Sequence, residues 1–249
     1  MRKASPAGSQ TGQRRRTVRD SERTQAAILA AATQEFARHG PGGARVDRIA
    51  ARARTNKRML YYYFGRKDAL FLAVLENTYA GIRNAEKQLS LLDAPPAEGI
   101  CRLIRFTWDY YVAHPEFLSL LNSENLHAAK HLRRSRHVLA MNSPLIETLD
   151  TVLARGRDAC VFRSGVDPLQ LYISIAALSY FYLGNNHTLS AVFGRDLATP
   201  QSHAARLAHM ADLVLGYLRP DAAGATCVRT DPPRAVAAAA DCRDRHAPR

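Results

Sequence analysis

The stretch VDRIAARARTNKRMLYYYF at residues 46–64 decides the fold of this 249-residue chain. Apolar side chains recur at helical spacing over residues 46–53, which predicts a short helix. Asn56 follows, and its side chain can cap a second helix over residues 57–64. Two short helices joined by three or four residues are the geometry of a helix-turn-helix unit.

The second of these helices has the side chains that contact with DNA requires. Leu60 and Phe64 are four residues apart and can anchor one face, so that long polar side chains point outward. Arginine and lysine form bidentate contacts to guanine, and tyrosine hydroxyls bond to phosphate oxygens. The predicted DNA-binding residues are Arg45, Thr55, Asn56, Lys57, Arg58, Tyr61, Tyr62, Tyr63 and Lys67.

Different roles are predicted within this set. Lys57 and Arg58 are expected to contact base edges, whereas Tyr61, Tyr63 and Lys67 are expected to hold phosphates. The alternatives are that the tyrosine run serves core packing and that the two basic residues form an ordinary solvated pair. Four consecutive positions cannot all face inward on a helix, which favours contact with DNA.

The pattern is helical on both sides of this motif. Ile28, Ala32 and Phe36 share one face of a first helix over about residues 21–39, and Gly40 ends it. The later helices are predicted near residues 67–89, 97–113, 115–133, 143–163, 168–186 and 200–218. The sequence therefore predicts an all-α chain of about nine helices and no sheet.

The positive charge is concentrated toward the N-terminal end. The chain has 35 Lys and Arg against 22 Asp and Glu, a net charge of +13, and its pI is near 10.1. Residues 1–19 hold six basic residues and no acid, whereas residues 81–219 are nearly neutral. This surplus favours a polyanionic partner, with double-stranded DNA as the first candidate.

Composition divides the chain into four segments. Residues 1–19 are predicted to be a disordered basic arm, and residues 220–249, with their prolines and an alanine run, a disordered tail. Residues 20–66 are predicted to be the DNA-binding domain. Residues 67–219 are predicted to be a helical ligand-binding and dimerisation domain.

The stretch at residues 168–194 contains no Asp, Glu, Lys or Arg. Its apolar part, residues 171–183, is 13 residues long, whereas a membrane-spanning helix needs about 20. A helix buried in a core or subunit interface is therefore predicted, with no membrane partner. The basic N-terminus is not followed by an apolar segment, so a cytoplasmic location without a signal peptide is expected.

Residues 24–75 resemble the DNA-binding domain of the TetR family of bacterial regulators. The matching pieces are AILAAATQEFARHG, VDRIAARA and LYYYFGRKDAL. The last is the most diagnostic, because an aromatic-rich helix precedes one short turn, a lysine-acid pair and a long helix. The resemblance implies an all-α homodimer whose C-terminal domain binds a small molecule. It also implies a repressor that this effector releases from a palindromic operator.

The chain departs from the family pattern at three positions, and each departure adds positive charge. Arg54 stands where the turn usually has glycine, so it must accept a strained φ or the turn must differ. Arg58 stands where a small residue is frequent, and Arg45 stands where a hydroxyl residue is frequent. Two rival hypotheses remain: an effector-independent activator or nucleoid-type DNA binder, and a ligand-binding helical module whose DNA head has decayed at Arg54.

The C-terminal part is similar to the branch of this family that senses pyrimidines and related metabolites. The similar pieces are DYYVAHPEFLSLLNSEN and SYFYLGNNHTLSAVFG. An unidentified effector is predicted to bind at Trp108, Tyr111, Asn122 and Tyr180, which combine apolar walls with a few polar groups. The alternative is that these side chains fill the core and satisfy one another.

The helices near residues 168–186 and 200–218 are predicted to form the dimer interface. Interface cores are depleted of charge, and two such helices from each subunit can form a four-helix bundle. Ile175 and Leu178 are expected to lie in this interface.

Neither a cofactor nor an enzymatic activity is predicted. Glu124, His127 and His131 share a helix face at spacings that metal ligands can have, but a solvated basic helix is the favoured interpretation. The motifs GxxxxGK, GxGxxG, HExxH and GxSxG do not occur in the sequence.

Overall fold

The computed structural model describes the backbone of residues 9–220 and the side chains of residues 20–220 except 142 and 143. The end segments beyond these limits, which include parts of both predicted tails, lie outside the described residues. Within residues 9–220 the chain is helical and has no β-strand. The all-α prediction is confirmed.

Ten α-helices follow one another along the described chain. They are α1 (Ser9–Gly43), α2 (Val46–Arg52), α3 (Lys57–Phe64), α4 (Lys67–Glu86), α5 (Pro96–Ala113), α6 (Pro115–Leu126), α7 (Arg136–Asp158), α8 (Pro168–Gly184), α9 (Asn186–Phe193) and α10 (Pro200–Leu218). Three short 3-10 helices lie at Lys87–Leu89, Leu91–Asp93 and Leu132–Arg134. The two helices of the predicted helix-turn-helix correspond to α2 and α3.

Several helices differ from the sequence prediction: α1 starts earlier, α6 ends at Leu126, α7 spans Arg136–Asp158, and α9 is additional. Because α1 begins at Ser9, residues 9–19 are helical and not part of a disordered arm. Residues 13–25 contain neither Gly nor Pro and are rich in Arg and Gln, which favour helix. The unexpected α9 is only eight residues long, too short to show a sustained apolar period.

Gly40 interrupts α1 at the predicted position. Its φ of 62° and ψ of 174° are not helical, and one further turn follows through Pro41. Glycine reaches a positive φ without the steric penalty of a Cβ atom. The chain changes direction here and enters α2 at Val46.

The described chain divides into two compact units. The first comprises the residues up to Thr78 together with Ser119–Ser135, and the second comprises Tyr79–Leu118 together with the residues from Arg136 onward. The first unit extends past residue 66, where the sequence placed a domain boundary, because α4 supplies part of its core. The buried side chains in question are Leu70, Phe71, Val74 and Leu75.

Each unit has its own apolar core. In the first, Ile28 and Phe36 of α1, Ile49 of α2 and Leu60 of α3 are fully buried. In the second, α5, α7, α8 and α10 contribute fully buried side chains that include Ile100, Ile104, Leu149, Val152, Ile175 and Met210. Full burial of one such side chain is worth about 1.5–3 kcal/mol. Ile49 and Leu60 therefore hold α2 and α3 firmly within the first unit.

The connection between α2 and α3 turns at Arg54, whose φ is 52°. The Arg54 N–H donates to the Ala51 carbonyl at 3.1 Å, and the Thr55 N–H donates to the Ala50 carbonyl at 3.0 Å. The turn is closed in the manner of a helix that ends on a left-handed residue. The sequence allowed either a strained φ at Arg54 or a different turn, and the structure has the strained φ. A left-handed conformation costs a residue with a Cβ atom about 1–2 kcal/mol.

Replacing Arg54 by glycine should therefore stabilise the first unit by about 1 kcal/mol, because glycine accepts the positive φ. Thermal unfolding followed by circular dichroism measures the change. The matched control is Arg54→Ala, which removes the same charge but keeps the Cβ atom and its strain. Equal unfolding midpoints for the two variants would contradict a strained turn.

Candidate nucleic-acid interface

A buried carboxylate fixes the start of α2 against α1. Glu35 is only 1% exposed, and its Oε1 accepts a hydrogen bond from the Arg45 backbone N–H at 3.1 Å. Arg48 Nη1 lies 3.5 Å from the same oxygen, and His39 Nε2 lies 3.9 Å from Oε2. A negative charge is favourable next to a helix start. The sequence analysis missed Glu35, although its spacing of seven from Ile28 placed it on the inward face.

Lys67 connects the start of α4 to the end of α1 and the residue that follows it. Its ammonium donates to the carbonyl oxygens of Gly42 at 3.3 Å and Ala44 at 3.2 Å. The sequence predicted that Lys67 holds a phosphate. Because the ammonium already has two main-chain partners, a phosphate contact would have to share or replace them.

The inner side of α3 is anchored by its cap and by Leu60. Asn56 Oδ1 accepts a hydrogen bond from the Met59 N–H at 2.9 Å, as the sequence predicted. Phe64 and Tyr63 are half-buried and pack against the core of the first unit. The Tyr63 ring also lies edge-on to Tyr62, with centroids 5.1 Å apart. Tyr63 thus contributes to packing, and its phosphate contact stays a prediction.

The outer side of α3 presents Lys57, Arg58, Tyr61 and Tyr62. Tyr61 is 49% exposed and Tyr62 is 76% exposed. Lys57 Nζ lies 2.5 Å from Asp47 Oδ1 in an ion pair that is open to solvent, and such pairs contribute little stability. Arg58 is exposed, and no ion pair involving it is found in the described part of the chain. Lys57 can exchange its carboxylate partner for a nucleic acid at little cost.

The remaining predicted contacts flank this side of α3. Arg45 is exposed just before α2, Thr55 is half-buried in the turn, and the Asn56 side chain serves the cap. Further exposed basic side chains in the same part of the sequence are Arg48, Arg52, Arg54 and Arg66. The helix-turn-helix thus offers guanidinium, ammonium and phenol donors, the groups that contact phosphates and guanine edges.

The environment of Trp108 is that of a core residue. It is 2% exposed, and its ring centroid lies 5.7 Å from that of Tyr182 and 5.4 Å from that of His203. These contacts agree with the alternative that the Trp108 side chain fills the core. The sequence had grouped it with three other residues as an effector pocket.

The other three residues of that group lie in different surroundings. Tyr111 is buried and stacks on Phe117 with centroids 5.5 Å apart. Asn122 is exposed and belongs to the first unit, whereas Tyr180 is half-buried on α8 in the second. None of the four lines the cavity that the second unit contains.

This cavity has a volume of about 320 Å³ and is bordered by α4, α7 and the segment between α4 and α5. Arg83 and Glu86 line it and are each 5% exposed, with Arg83 Nη1 2.6 Å from Glu86 Oε2. Arg83 Nη2 donates to the Tyr172 hydroxyl. Burial raises the pKa of Glu86 to about 7, and the charge of Arg83 opposes the rise. Burial likewise raises the pKa of Tyr111, which interacts with this charged pair.

Glu124 and His131, two of the three residues with metal-ligand spacing, form a structural contact. Glu124 is 2% exposed and accepts hydrogen bonds from the backbone N–H groups of His131 at 2.7 Å and Leu132 at 2.9 Å. Its other oxygen lies 2.8 Å from His131 Nδ1. The prediction of a solvated helix is wrong here, because α6 ends at Leu126 and this carboxylate holds the following turn. His127 is exposed and contacts the Ser123 carbonyl instead.

The outer sides of α8 and α10 carry apolar residues. Ile173 and Phe181 of α8 are 48% and 59% exposed, and Tyr217 of α10 is 51% exposed. Ile175 and Leu178, which the sequence placed in a dimer interface, pack into the core of the second unit, and Ile175 is fully buried. Among the described residues, no helix is both long and apolar enough to cross a membrane.

Two family models match the sequence of this chain. The model of bacterial regulatory proteins of the tetR family matches residues 28–74, which contain α2 and α3. The model of the tetracyclin repressor-like C-terminal domain matches residues 96–214, from α5 into α10.

Curated relatives include helix-turn-helix-type transcriptional repressors. NicS of Pseudomonas putida is 40% identical over 202 residues, 81% of this chain and 95% of that protein. SCO4008 of Streptomyces coelicolor is 47% identical over 115 residues, 44% of this chain and 53% of that protein. The transcriptional regulator RutR of Escherichia coli is 43% identical over 65 residues, 26% of this chain and 29% of that protein. The similarity of the C-terminal part to a pyrimidine-sensing branch stays a prediction.

Solved structures share the fold. The crystal structure of the transcriptional regulator SCO4942 from Streptomyces coelicolor has a TM-score of 0.61 and 28% identity, over 78% of this chain and 98% of that one. A TetR-family regulator from Mesorhizobium loti has a TM-score of 0.56 and 21% identity, over 79% of this chain and 95% of that one. Since two tetR-type family models together match most of the sequence and a repressor at 40% identity covers 81% of it, the chain belongs to the TetR family of bacterial transcriptional regulators.

Proposed function

We propose that the chain is a homodimeric repressor that binds a palindromic operator through α3 and leaves it when a small molecule binds the second unit. The outer side of α3 carries this proposal. Arg58 and Tyr62 are exposed there, opposite the fully buried Leu60. A tyrosine with 76% of its surface exposed contributes little to the core, whereas it suits contact with a DNA backbone. The repressors among the relatives support the sign of regulation.

The order of residues along α3 supports a division of roles. Lys57 and Arg58 are its first two residues, and the N-terminal residues of a recognition helix are the ones that contact base edges. Tyr61 and Tyr62 follow one turn later, where phenol groups can reach the flanking phosphates. The closed turn at Arg54 and the cap at Asn56 argue against a decayed DNA head.

The dimer is proposed to form through the outer sides of α8 and α10. Aromatic residues are enriched in protein interfaces, and charged residues are depleted from their centres. Phe181 and Tyr217 are exposed aromatics on these helices, next to the exposed Ile173 and Leu213. Binding to a palindromic operator requires the two α3 helices of such a dimer to enter successive major grooves, about 34–36 Å apart.

Release from DNA is proposed as a shift between two arrangements of the dimer. An effector lowers DNA affinity only by the factor by which it prefers the arrangement that does not fit the operator. The second unit offers a cavity for such a molecule. A DNA binder without an effector would show no release with any compound.

Arg58→Ala should weaken operator binding by about 1–3 kcal/mol and relax specificity at one position of the site, because a bidentate base contact is lost. Footprinting on the DNA upstream of the chain's own gene, followed by titration with operator variants, measures both effects. The matched control is Arg102→Ala on α5, where the arginine pairs with Glu98 of the same helix. Unchanged affinity and specificity for Arg58→Ala would rule out the base contact.

Lys67→Ala should weaken binding to all DNA sequences and reduce the slope of log affinity against log salt by about one, if Lys67 holds a phosphate. Titrations at several salt concentrations measure this slope. Lys67 also donates to two carbonyls, so the unfolding midpoint is measured in parallel. A lower midpoint with an unchanged slope would assign Lys67 a structural role only.

Ile173→Asp and Phe181→Asp should each split the dimer and leave the protomer folded, because both side chains are exposed in the protomer but would be desolvated in the interface. Sedimentation equilibrium gives the mass, and circular dichroism reports the fold. Leu139→Asp on α7 is the matched control, since Leu139 is 74% exposed. Ile175→Asp should instead unfold the protomer. Dimers in both exposed-site variants would place the interface elsewhere.

A further inference from the structure

Two charged side chains that line the cavity, Arg83 and Glu86, have buried polar atoms without hydrogen-bond partners. Arg83 Nη1 and Glu86 Oε2 approach to 2.6 Å as an ion pair, yet their geometry is not that of a hydrogen bond. Arg83 Nε and Nη1 and both Glu86 oxygens are buried and have no hydrogen-bond partner among the described residues. Buried polar groups are rarely left without hydrogen bonds, because their desolvation is costly and an ion pair offsets only part of that cost.

The atoms without hydrogen-bond partners are of two complementary kinds. Arg83 offers N–H donors, and Glu86 offers carboxylate acceptors, three residues apart on α4. A ligand that satisfies both must present an acceptor and a donor close together. The adjacent C=O and N–H of a lactam or other cis-amide have this arrangement, and a charged residue strengthens each such hydrogen bond.

The charge around the cavity favours a ligand that is itself neutral. Arg83 and Lys87 are balanced by Glu86 and Asp93 along its walls. A ligand anion would meet the carboxylate of Glu86 in a buried site, and a ligand cation would meet the guanidinium of Arg83. Burial of either extra charge is costly unless it is paired. Because burial raises the pKa of Glu86 to about 7, this carboxyl already tolerates its charge poorly.

The remaining walls suit a flat apolar ring. Leu91, Leu92, Met141 and Leu145 line the cavity beside the charged pair. Its volume of about 320 Å³ lies at the lower end of small-molecule sites. One or two fused rings fit such a space, with the polar edge toward α4.

We propose that this cavity binds an uncharged one- or two-ring lactam or cis-amide, whose carbonyl accepts from Arg83 and whose N–H donates to Glu86. The molecule is the effector class of the proposed repressor, so the inference rests on that function. It names a site and a chemistry that differ from the Trp108 group expected from the sequence.

Calorimetric titration of the full chain without DNA tests the site with four probes of similar size. They are 2-quinolone, its N-methyl derivative without the donor, 2-naphthoate as the anion, and 2-naphthylmethylamine as the cation. 2-Quinolone should bind at least about tenfold more tightly than each of the other three, since a hydrogen bond to a charged group is worth about that factor.

Glu86→Gln should weaken 2-quinolone binding by about tenfold and leave N-methyl-2-quinolone binding nearly unchanged, because only the former donates to residue 86. Arg83→Met should weaken both probes, since both retain the carbonyl. Glu98→Gln on α5 is the matched control, as this acid pairs with Arg102 and does not line the cavity.

The inference would be overturned if 2-naphthoate or the amine bound most tightly, or if 2-quinolone did not bind. Equal affinity of 2-quinolone for the wild type and for Glu86→Gln would overturn it as well. Footprinting without any probe tests the proposed function separately. A chain that binds 2-quinolone through Glu86 but protects no DNA keeps the site and refutes the repressor. A chain that protects its operator but binds no lactam keeps the repressor and refutes the lactam site.

Discussion

The buried carboxylate of Glu35 sets the geometry on which contact with DNA depends. A carboxylate that is 1% exposed is costly unless it is paired and hydrogen-bonded. Glu35 meets this requirement only when the start of α2 lies against α1, where the Arg45 N–H and Arg48 reach it. With α2 fixed, the short turn at Arg54 and the burial of Leu60 determine the direction in which α3 presents its outer residues.

The helix-turn-helix could be predicted from sequence because the features that form it are local. The apolar spacing from Ile28 to Phe36, the break at Gly40 and the cap at Asn56 each act within a few residues. The same local reasoning identified the strained position at Arg54. It did not find α9, whose eight residues show no clear periodicity, or the start of α1 at Ser9.

The proposed effector residues were harder to predict, because whether a residue lines a cavity depends on contacts between distant parts of the chain. Trp108 and Tyr111 share a helix face, but whether that face lines a cavity or a core depends on α8 and α10, and here Trp108 meets Tyr182 and His203. Arg83 and Glu86 are three residues apart, a spacing typical of an ordinary surface ion pair on a helix. Two features distinguish Arg83 and Glu86 from such a surface pair: both side chains are buried, and Arg83 contacts Tyr172, which is 89 residues away in the sequence.

The three glutamates that are buried among the described residues differ in their hydrogen bonding. Glu35 accepts from a backbone N–H beside Arg48, and Glu124 is satisfied by two backbone N–H groups and His131. Both therefore hold a turn or a helix start, and a ligand would have to displace existing bonds. Glu86 is also buried and lies 2.6 Å from Arg83 in an ion pair, yet neither of its oxygens has a hydrogen-bond partner among the described residues, and it lines a cavity. Burial alone does not distinguish these residues, whereas the state of their oxygens does.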